Sequence, residues 1–169
     1  MISEKIKDLS LIFYKCMNIT NIDLSHLDTS EVTTMEGAFE SCVNLELINL
    51  ENINTEKVEN LFGTFCACPK LKEIKGIENL NTKNVKNMRC FHGCSKLEKL
   101  NLQKWDTSNA TNMEQLFRMC ESLTELDISG WENTKIKNME YMFSGCKNLK
   151  KLNLKNFKTN NVENMAKIF

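Results

Sequence analysis

Four cysteines and one histidine are the residues of this chain best suited to metal or thiol chemistry. Cys66 and Cys68 are followed by Cys90, His92 and Cys94, and thiolates and imidazoles are the ligands of tetrahedral zinc. A second chemistry needs only Cys66 and His92, because an imidazolium beside a thiol lowers the thiol pKa and makes the sulfur more reactive. These residues define one hypothesis, a redox- or metal-responsive protein centred on Cys66 and His92.

The positions of these groups are set by a repeat of 26 residues. Phenylalanine marks the repeat at Phe13, Phe39, Phe65, Phe91, Phe117, Phe143 and Phe169. Cysteine follows each of the first six phenylalanines by three residues. A fixed period between roughly 20 and 50 residues is typical of a solenoid, in which each unit stacks on the next.

Each repeat is predicted to begin with a short helix. Its apolar residues recur at spacings that place them on one helical face. In one repeat these residues are Val32, Met35, Phe39 and Cys42. Thr29 precedes that run and is able to cap the helix through its side-chain oxygen.

The cysteine of the repeat therefore belongs to a predicted column of buried, reduced thiols. Cys68 and Cys94 lie in that column, whereas Cys66 and His92 share a row that is expected to point to solvent. Residues two apart on a helix face in nearly opposite directions, so these ligands are not expected to converge on a metal. Neither a metal nor a cofactor is predicted.

A short strand is predicted to follow each helix. The pattern Leu-x-x-Leu-x-Leu, as in Leu123, Leu126 and Ile128, alternates apolar and polar residues over its last three positions, which is typical of a half-buried strand. A unit with one helix and one strand buries its apolar side only against its neighbours. The predicted fold is an α/β solenoid, a curved leucine-rich-repeat array with a parallel sheet on the concave face and short helices on the convex face. Residues 1–169 are predicted to form a single domain of about six and a half repeats, within a longer array, because polar capping repeats are absent at both ends.

Composition and motifs argue against several function classes. The 22 basic and 22 acidic side chains cancel, which does not favour binding to nucleic acid or to an anionic membrane. His26 and His92 lie in different rows of the repeat, and the chain has no Gly-rich phosphate loop and no nucleophile elbow. An enzyme is not expected. The segment Met1–Asp8 does not resemble a secretory signal, and no apolar run is long enough to span a bilayer.

An aromatic row follows the later predicted strands. It consists of Trp105, Trp131 and Phe157, and it continues a row of aliphatic residues from earlier repeats. Aromatic side chains are enriched at binding hot spots. Because the row also contains aliphatic residues, we expect it to pack inside the turn after the strand and not to serve as an exposed anchor.

Partner binding is predicted on the open side of the sheet, at strand residues that alternate with the buried ones. The predicted contact residues are Leu47, Asn49, Glu73, Lys75, Ile77, Lys99, Asn101, Gln103, Glu125, Asp127, Lys151 and Asn153. Leu47 and Ile77 are apolar where polar residues dominate, and a partner is expected to dock near them. The alternating charges of Glu73, Lys99 and Glu125 have a purely structural alternative, because opposite charges on neighbouring strands support the sheet.

The written-out repeat resembles a known family. The pattern that begins Trp105-Asp106-Thr107-Ser108, and the related unit at Trp131, are similar to the BspA-type leucine-rich repeat surface proteins, including the 26-residue arrays of mycoplasma-like lipoproteins. The resemblance extends over essentially the whole chain. It implies a non-catalytic module for adhesion or protein binding, placed at the cell surface or secreted, with another protein or a host or cell-surface ligand as its partner. The alternative is a cytoplasmic scaffold with the same fold, favoured by the expected absence of a signal peptide and by the thiol column.

Charge is unevenly distributed although its sum is zero. The segment from Asp23 to Glu59 contains nine acidic residues and a single basic one, Lys57. The segment from Lys135 to Lys158 contains seven lysines and a single acidic residue, Glu140. The asymmetry predicts head-to-tail self-association, in which the acidic end of one array attracts the basic end of another. The alternative is that these charges are solvated surface without a role.

Overall fold

A computed structural model describes residues 5–169; residues 1–4, the first half of the segment considered for a signal sequence, lie outside the described residues. Within the described range the chain forms five strands of three residues each. They are β1 (Asn21–Asp23), β2 (Leu47–Asn49), β3 (Glu73–Lys75), β4 (Glu125–Asp127) and β5 (Lys151–Asn153). A single 3-10 turn, Ile77–Asn79, follows β3.

The chain winds as a solenoid whose units we call rungs, numbered by phenylalanine from Phe13 in rung one to Phe169 in rung seven. Strands of successive rungs pair in parallel and without slippage, so that Ile22, Ile48 and Ile74 lie side by side and Leu126 lies beside Leu152. The exposed side of these strands is called the sheet face. The predicted solenoid and the positions of these five strands are thus present in the structure.

A sixth strand, expected at Lys99–Asn101 in rung four, is absent from the described chain. As a result the strands form a three-stranded sheet, β1-β2-β3, and a two-stranded sheet, β4-β5. Rung four lies between them and pairs with neither through its strand segment.

The prediction of short helices on the convex face is wrong, because residues 5–169 contain no α-helix. In the segment Met35–Cys42 the Ala38 amide donates to the Met35 carbonyl at 3.1 Å, which closes a tight turn, whereas the Gly37 amide donates to Phe62 of the next rung at 2.8 Å. In an α-helix the interior amides donate to carbonyls of the same helix. Here every second amide donates to a carbonyl of the neighbouring rung instead. The segments Met35–Cys42 and their equivalents are stacked turns, and together they form the turn face.

Left-handed backbone conformations recur within these turns. Gly37 and Ser41 have φ angles of 57° and 62°, and Gln115 and Met119 repeat them at 56° and 60°. Such angles break helical continuation at every fourth residue. The inward side chains nonetheless keep the three- and four-residue spacing of a helix, which is why the sequence pattern fits both structures.

The residues predicted to cap helices bridge rungs instead. The Thr29 hydroxyl donates to the Asn54 carbonyl at 2.9 Å and accepts from the Asn54 amide at 2.7 Å. Thr55 makes the same pair of bonds with Asn81. Because Thr29 and Thr55 are buried, these bonds satisfy polar groups that would otherwise be costly to bury.

Stacked aromatic rings occupy the centre of the core. Ring centroids of successive phenylalanines, from Phe13 to Phe169, lie 5.5 to 5.9 Å apart. Trp105 and Trp131 are buried against this column, and their indole nitrogens donate to the carbonyls of Ile77 and Leu102 at 2.9 and 2.8 Å. The prediction that the tryptophans pack inside the turn is confirmed.

Between Gly76 and Cys90 the repeat loses its regular phase. Gly76 is an extra residue after β3, with φ at 79°, and Ile77 follows it into the core position of Leu50. On the turn face, bridges join Asn60 to Asn87 and Asn87 to Asn112, a separation of 27 residues followed by one of 25. The insertion at Gly76 is therefore compensated by a residue missing directly after Arg89.

Candidate partner-binding face

The sheet face presents most of the predicted contact residues to solvent. Glu73, Lys75, Lys99, Asn101, Gln103, Glu125, Lys151 and Asn153 are exposed, and Leu47, Asn49 and Asp127 are half-buried. The prediction that Ile77 is an exposed contact residue is wrong. Its side chain is 5% exposed, because the extra residue Gly76 turns it inward, and it offers no apolar anchor on this face.

Two grooves flank rung four on the sheet face. The larger encloses about 920 Å³ and runs from rung four to rung six, and the smaller encloses about 610 Å³ between rungs three and four. The larger groove is lined by Lys99, Leu100, Asn101, Gln103, Glu125, Leu126, Asp127, Lys150, Lys151, Leu152 and Asn153. Seven of the predicted residues thus meet in one depression, which coincides with the missing strand.

Polar contacts fix the floor of the larger groove. One Asp127 carboxylate oxygen accepts from the Gln103 amide at 2.7 Å and from the Asn153 amide at 3.1 Å. Hydrogen bonds from Ser129, first its side chain and then its backbone, hold the pKa of Asp127 down at about 2. Asp127 is therefore an anion that connects rungs four, five and six at neutral pH.

The charged side chains on this face are largely free to meet a partner. The Lys151 ammonium lies 3.7 Å from the Glu125 carboxylate, and both are well exposed, so the pair contributes little stability. The side-chain oxygens of Asn49 and Asn153 on this face bind locally. Each accepts from a backbone amide two residues later, at 3.0 and 3.2 Å, which orders the chain after the strand.

Several groove residues were missed by the strand-alternation rule. The smaller groove is also lined by Lys72, Glu78, Lys96 and Glu98, and the larger one by Lys150. These residues lie outside the three strand positions that alternation selects. Their signal in the sequence is charge, because each is a charged residue within three positions of the strand segment at 73–75, 99–101 or 151–153.

The thiols occupy a different part of the molecule and are not poised for chemistry. In the predicted column each sulfhydryl from rung two to rung six donates to a phenylalanine carbonyl of the preceding rung, as Cys94 does to Phe65 at 3.1 Å. Cys66, expected at the surface, is buried, and burial raises the pKa of its thiol to about 11. A thiolate at Cys66 is thus disfavoured at neutral pH, which contradicts the hypothesis of a reactive Cys66–His92 pair.

Residues 5–169 contain neither a cluster of metal-ligand side chains nor a membrane-spanning helix. Over that range no three histidine, cysteine or acidic side chains are grouped so as to hold a metal ion. No helix described there has the length and apolar character needed to cross a bilayer.

Comparison with known proteins gives a family and a set of distant structural likenesses. Residues 3–88 and 65–169 match the family described as "Mycoplasma protein of unknown function, DUF285". No curated protein matches the chain.

Three solved structures are similar to the chain at low identity. A leucine-rich repeat protein from Bacteroides ovatus is 22% identical, with a TM-score of 0.47 over 87% of this chain and 40% of its own. The T. pallidum leucine-rich repeat protein is 21% identical, with a TM-score of 0.49 over 79% of this chain and 68% of its own. A leucine-rich cell surface protein from Faecalibacterium prausnitzii is 14% identical, with a TM-score of 0.27 over 86% of this chain and 62% of its own. The chain thus spans less than half of the B. ovatus protein.

Proposed function

Because the chain belongs to the DUF285 family of mycoplasma proteins of unknown function, no activity comes with its family, and we propose from its own surface that it is a non-catalytic protein-interaction module. Membership confirms the predicted kinship with mycoplasma-type leucine-rich repeats. In this proposal a protein partner docks on the sheet face, with rung four at the centre of the contact.

The observation that carries the proposal is the larger groove beside rung four. It combines exposed side chains of both signs with a floor ordered by Asp127. Its lining is anchored to the buried Leu100 and Leu126 and to the partly buried Leu152, so a partner meets polar groups on a stiff support. Preorganised groups lose little freedom on binding, which favours affinity.

The partner's location distinguishes two versions of the module. The family resemblance supports adhesion at a cell surface, with a host or cell-surface protein as ligand. All eight cysteines are free thiols in the structure, which supports the second version, a scaffold in a reducing compartment. Head-to-tail self-association and a single-domain organisation stay predictions, and sedimentation across concentration at low salt tests the first of them.

Site-specific photo-crosslinking tests the use of the sheet face. A photoreactive phenylalanine analogue is placed at Asn101 on the sheet face or, as the matched control, at Tyr14, an exposed residue of the turn face in rung one. Each protein is exposed to extract of the source cells and, separately, to a host-cell surface fraction. We expect specific products from position 101, and a partner that crosslinks only through position 14 would contradict the proposal.

The purified partner then allows a quantitative test. Lys99→Glu and Lys151→Glu reverse charges in the larger groove and are expected to weaken binding by about tenfold each, equivalent to about 1.4 kcal/mol. Lys15→Glu, an exposed lysine of the turn face, should leave the affinity within about twofold, as expected for a charge outside the contact. Equal losses from all three variants would indicate a general charge effect and overturn the assignment of this face.

A further inference from the structure

The two arginines of the chain, Arg89 and Arg118, lie on the turn face, and the charges of both act on His92. Every other strongly basic side chain is a lysine. Arg89 belongs to rung four and Arg118 to rung five, so they are neighbours along the stack. Arginine differs from lysine in presenting a planar fork of donors that fits an oxyanion in two-pronged fashion.

Both guanidinium groups are held by aromatic rings. The Arg89 guanidinium carbon lies 5.3 Å from the centroid of Phe62, and that of Arg118 lies 4.7 Å from the centroid of Tyr141. Packing against a ring face restrains a guanidinium, and one terminal nitrogen of Arg118 also donates to the Gln115 side-chain oxygen at 3.3 Å. The Nε atoms of Arg89 and Arg118 are buried and have no hydrogen-bond partner within the described residues.

The phase change of the repeat is what places Arg89 beside Phe62. The Arg89 carbonyl accepts from the Gly63 amide at 2.7 Å, the same bond that the Phe62 carbonyl accepts from Gly37 at 2.8 Å. Arg89 is therefore the rung-four equivalent of Phe62. Rung four lacks the residue that corresponds to Gly63, and Cys90 follows Arg89 directly.

Neither arginine is neutralised by a carboxylate in the described part of the chain. All seven ion pairs found there use lysine. Glu114, next to Arg89 in its row, accepts instead from the amides of Gln115 at 2.7 Å and Asn138 at 3.2 Å. Glu40 lies farther along the stack, against Gly37 and Gly63.

His92 adds a third donor to the pair. Its Nδ1 lies 3.3 Å from an Arg89 terminal nitrogen, and because a guanidinium only donates, Nδ1 accepts and Nε2 carries the hydrogen. Burial, and then the charges of Arg89 and Arg118, lower the pKa of His92. The imidazole is therefore neutral at pH 7, near two guanidinium groups whose positive charges no described ion pair balances.

We propose that Arg89, His92 and Arg118 form a binding site for a phosphate group on the turn face. Two positive charges and the donors of two guanidinium groups match a phosphate, which carries about −1.5 to −2 charges and three acceptor oxygens at neutral pH. A carboxylate, with one charge, would leave half of the positive charge uncompensated. The phosphate is supplied either by a phosphorylated side chain of a protein or by free inorganic phosphate.

Arginine side-chain NMR provides a direct test, because a chain with two arginines has two Nε–Hε signals. Inorganic phosphate is titrated into the whole protein at pH 7.4 against sodium chloride of equal ionic strength, and Arg89→Lys assigns the signals. We expect both signals to shift together to saturation. The pKa of His92 should rise with phosphate bound.

Variants and alternative anions complete the experiment. Arg118→Lys keeps the charge but loses the fork, and is expected to weaken phosphate binding at least tenfold, whereas Lys15→Gln on the same face should leave it unchanged. A phosphoserine peptide that binds more tightly than phosphate identifies a phosphorylated protein as the source; equal binding identifies free phosphate. Equal shifts with acetate, or none with phosphate, would overturn the site. Sheet-face crosslinking does not involve these residues, so either proposal can fail alone.

Discussion

The two faces of the solenoid respond differently to the same change of phase. On the turn face, bridges link neighbouring rungs without a gap over residues 5–169. They run from Asp8 through Thr34, Asn60, Asn87, Asn112 and Asn138 to Asn164. On the sheet face, strand pairing stops after β3 and resumes only at β4.

The difference follows from how each face is bonded. A regular turn donates four alternate amides to the next rung, and rung four retains three of these bonds, from Met88, Phe91 and Gly93. Loss of one residue there removes one bond and leaves the others in register. The segment Lys99–Asn101 keeps the regular spacing from both β3 and β4, so it is not out of register; it is left unpaired beside the rung that carries the extra residue Gly76. The turn face therefore preserves continuity, and the sheet face acquires its grooves.

The largest predicted effect concerns the core that both faces share. Phe91→Ala removes a fully buried ring stacked on Phe65 and Phe117, and it is expected to lower the free energy of unfolding by about 3–5 kcal/mol. Urea denaturation measures the change. Ile12→Ala, at a side chain that is 47% exposed, serves as the control and should cost less than about 0.5 kcal/mol. Similar losses from both would contradict a continuous core.

The next effect isolates the insertion on the sheet face. Gly76 and Gly93 have nearly the same φ, 79° and 80°, but a Cβ at Gly76 would lie 2.8 Å from the Glu51 nitrogen, against 3.4 Å from Ala67 at Gly93. Gly93→Ala is expected to cost about 1–2 kcal/mol, the penalty of left-handed backbone. Gly76→Ala should cost about 2–4 kcal/mol because backbone must also move. Equal costs in thermal unfolding would show that the close approach is unimportant.

Restoring the repeat should close the gap at rung four. We predict that deleting Gly76 and inserting a glycine between Arg89 and Cys90 allows Lys99–Asn101 to pair with both neighbours. Hydrogen exchange of the Leu100 and Leu102 amides should then slow by about tenfold, corresponding to about 1.4 kcal/mol of local stability. Deleting Gly76 alone is the control, and it should not slow exchange. Unchanged exchange in the chain with both alterations would show that the phase change is not the cause of the missing strand pairing in rung four.

The smallest effect is a pH dependence on the sheet face. The pKa of Asp127 is lowered from 3.8 to about 2 by bonds that exist only in the folded chain. Its stabilising contribution is therefore complete above about pH 4 and is lost as the pH falls towards 2. Asp127→Asn should reduce the dependence of unfolding on pH in this window. NMR titration of the Asp127 carboxyl gives the pKa directly, and a value near 3.8 would exclude the contribution.

Features that depend on the period were predictable from the sequence. The phenylalanine column and the strands at Ile22, Ile48 and Leu126 follow from regular spacing, since each repeat reports the same environment. The helices were predicted wrongly because apolar residues three and four apart fit stacked turns as well as they fit a helix. The deciding information, alternate amides bonded to the next rung, is not contained in side-chain spacing.

Features that depend on a single irregular residue were not predictable. Ile77 was assigned to the open face because alternation was counted through Gly76, and the structure shows that Gly76 is extra. Cys66 was assigned to solvent from its row, but rung four covers it, with its sulfur 3.7 Å from the Arg89 carbonyl. The position of Arg89 beside Phe62 depends on the same lost residue, and only the rarity of arginine in the sequence could have drawn attention to it.

The one-way bonding of the turn face has an electrical consequence. From Leu11 to Glu36, from Gly37 to Phe62 and from Gly63 to Arg89, amides of one rung donate to carbonyls of the next. Peptide dipoles of about 3.5 D each therefore add along the stack, with the positive pole towards the later rungs. The lysine-rich segment Lys135–Lys158 lies at that pole and the acid-rich segment Asp23–Glu59 at the other. Although its net charge is zero, the molecule thus has an electric dipole along the stack. This dipole orients an approaching charged partner before contact.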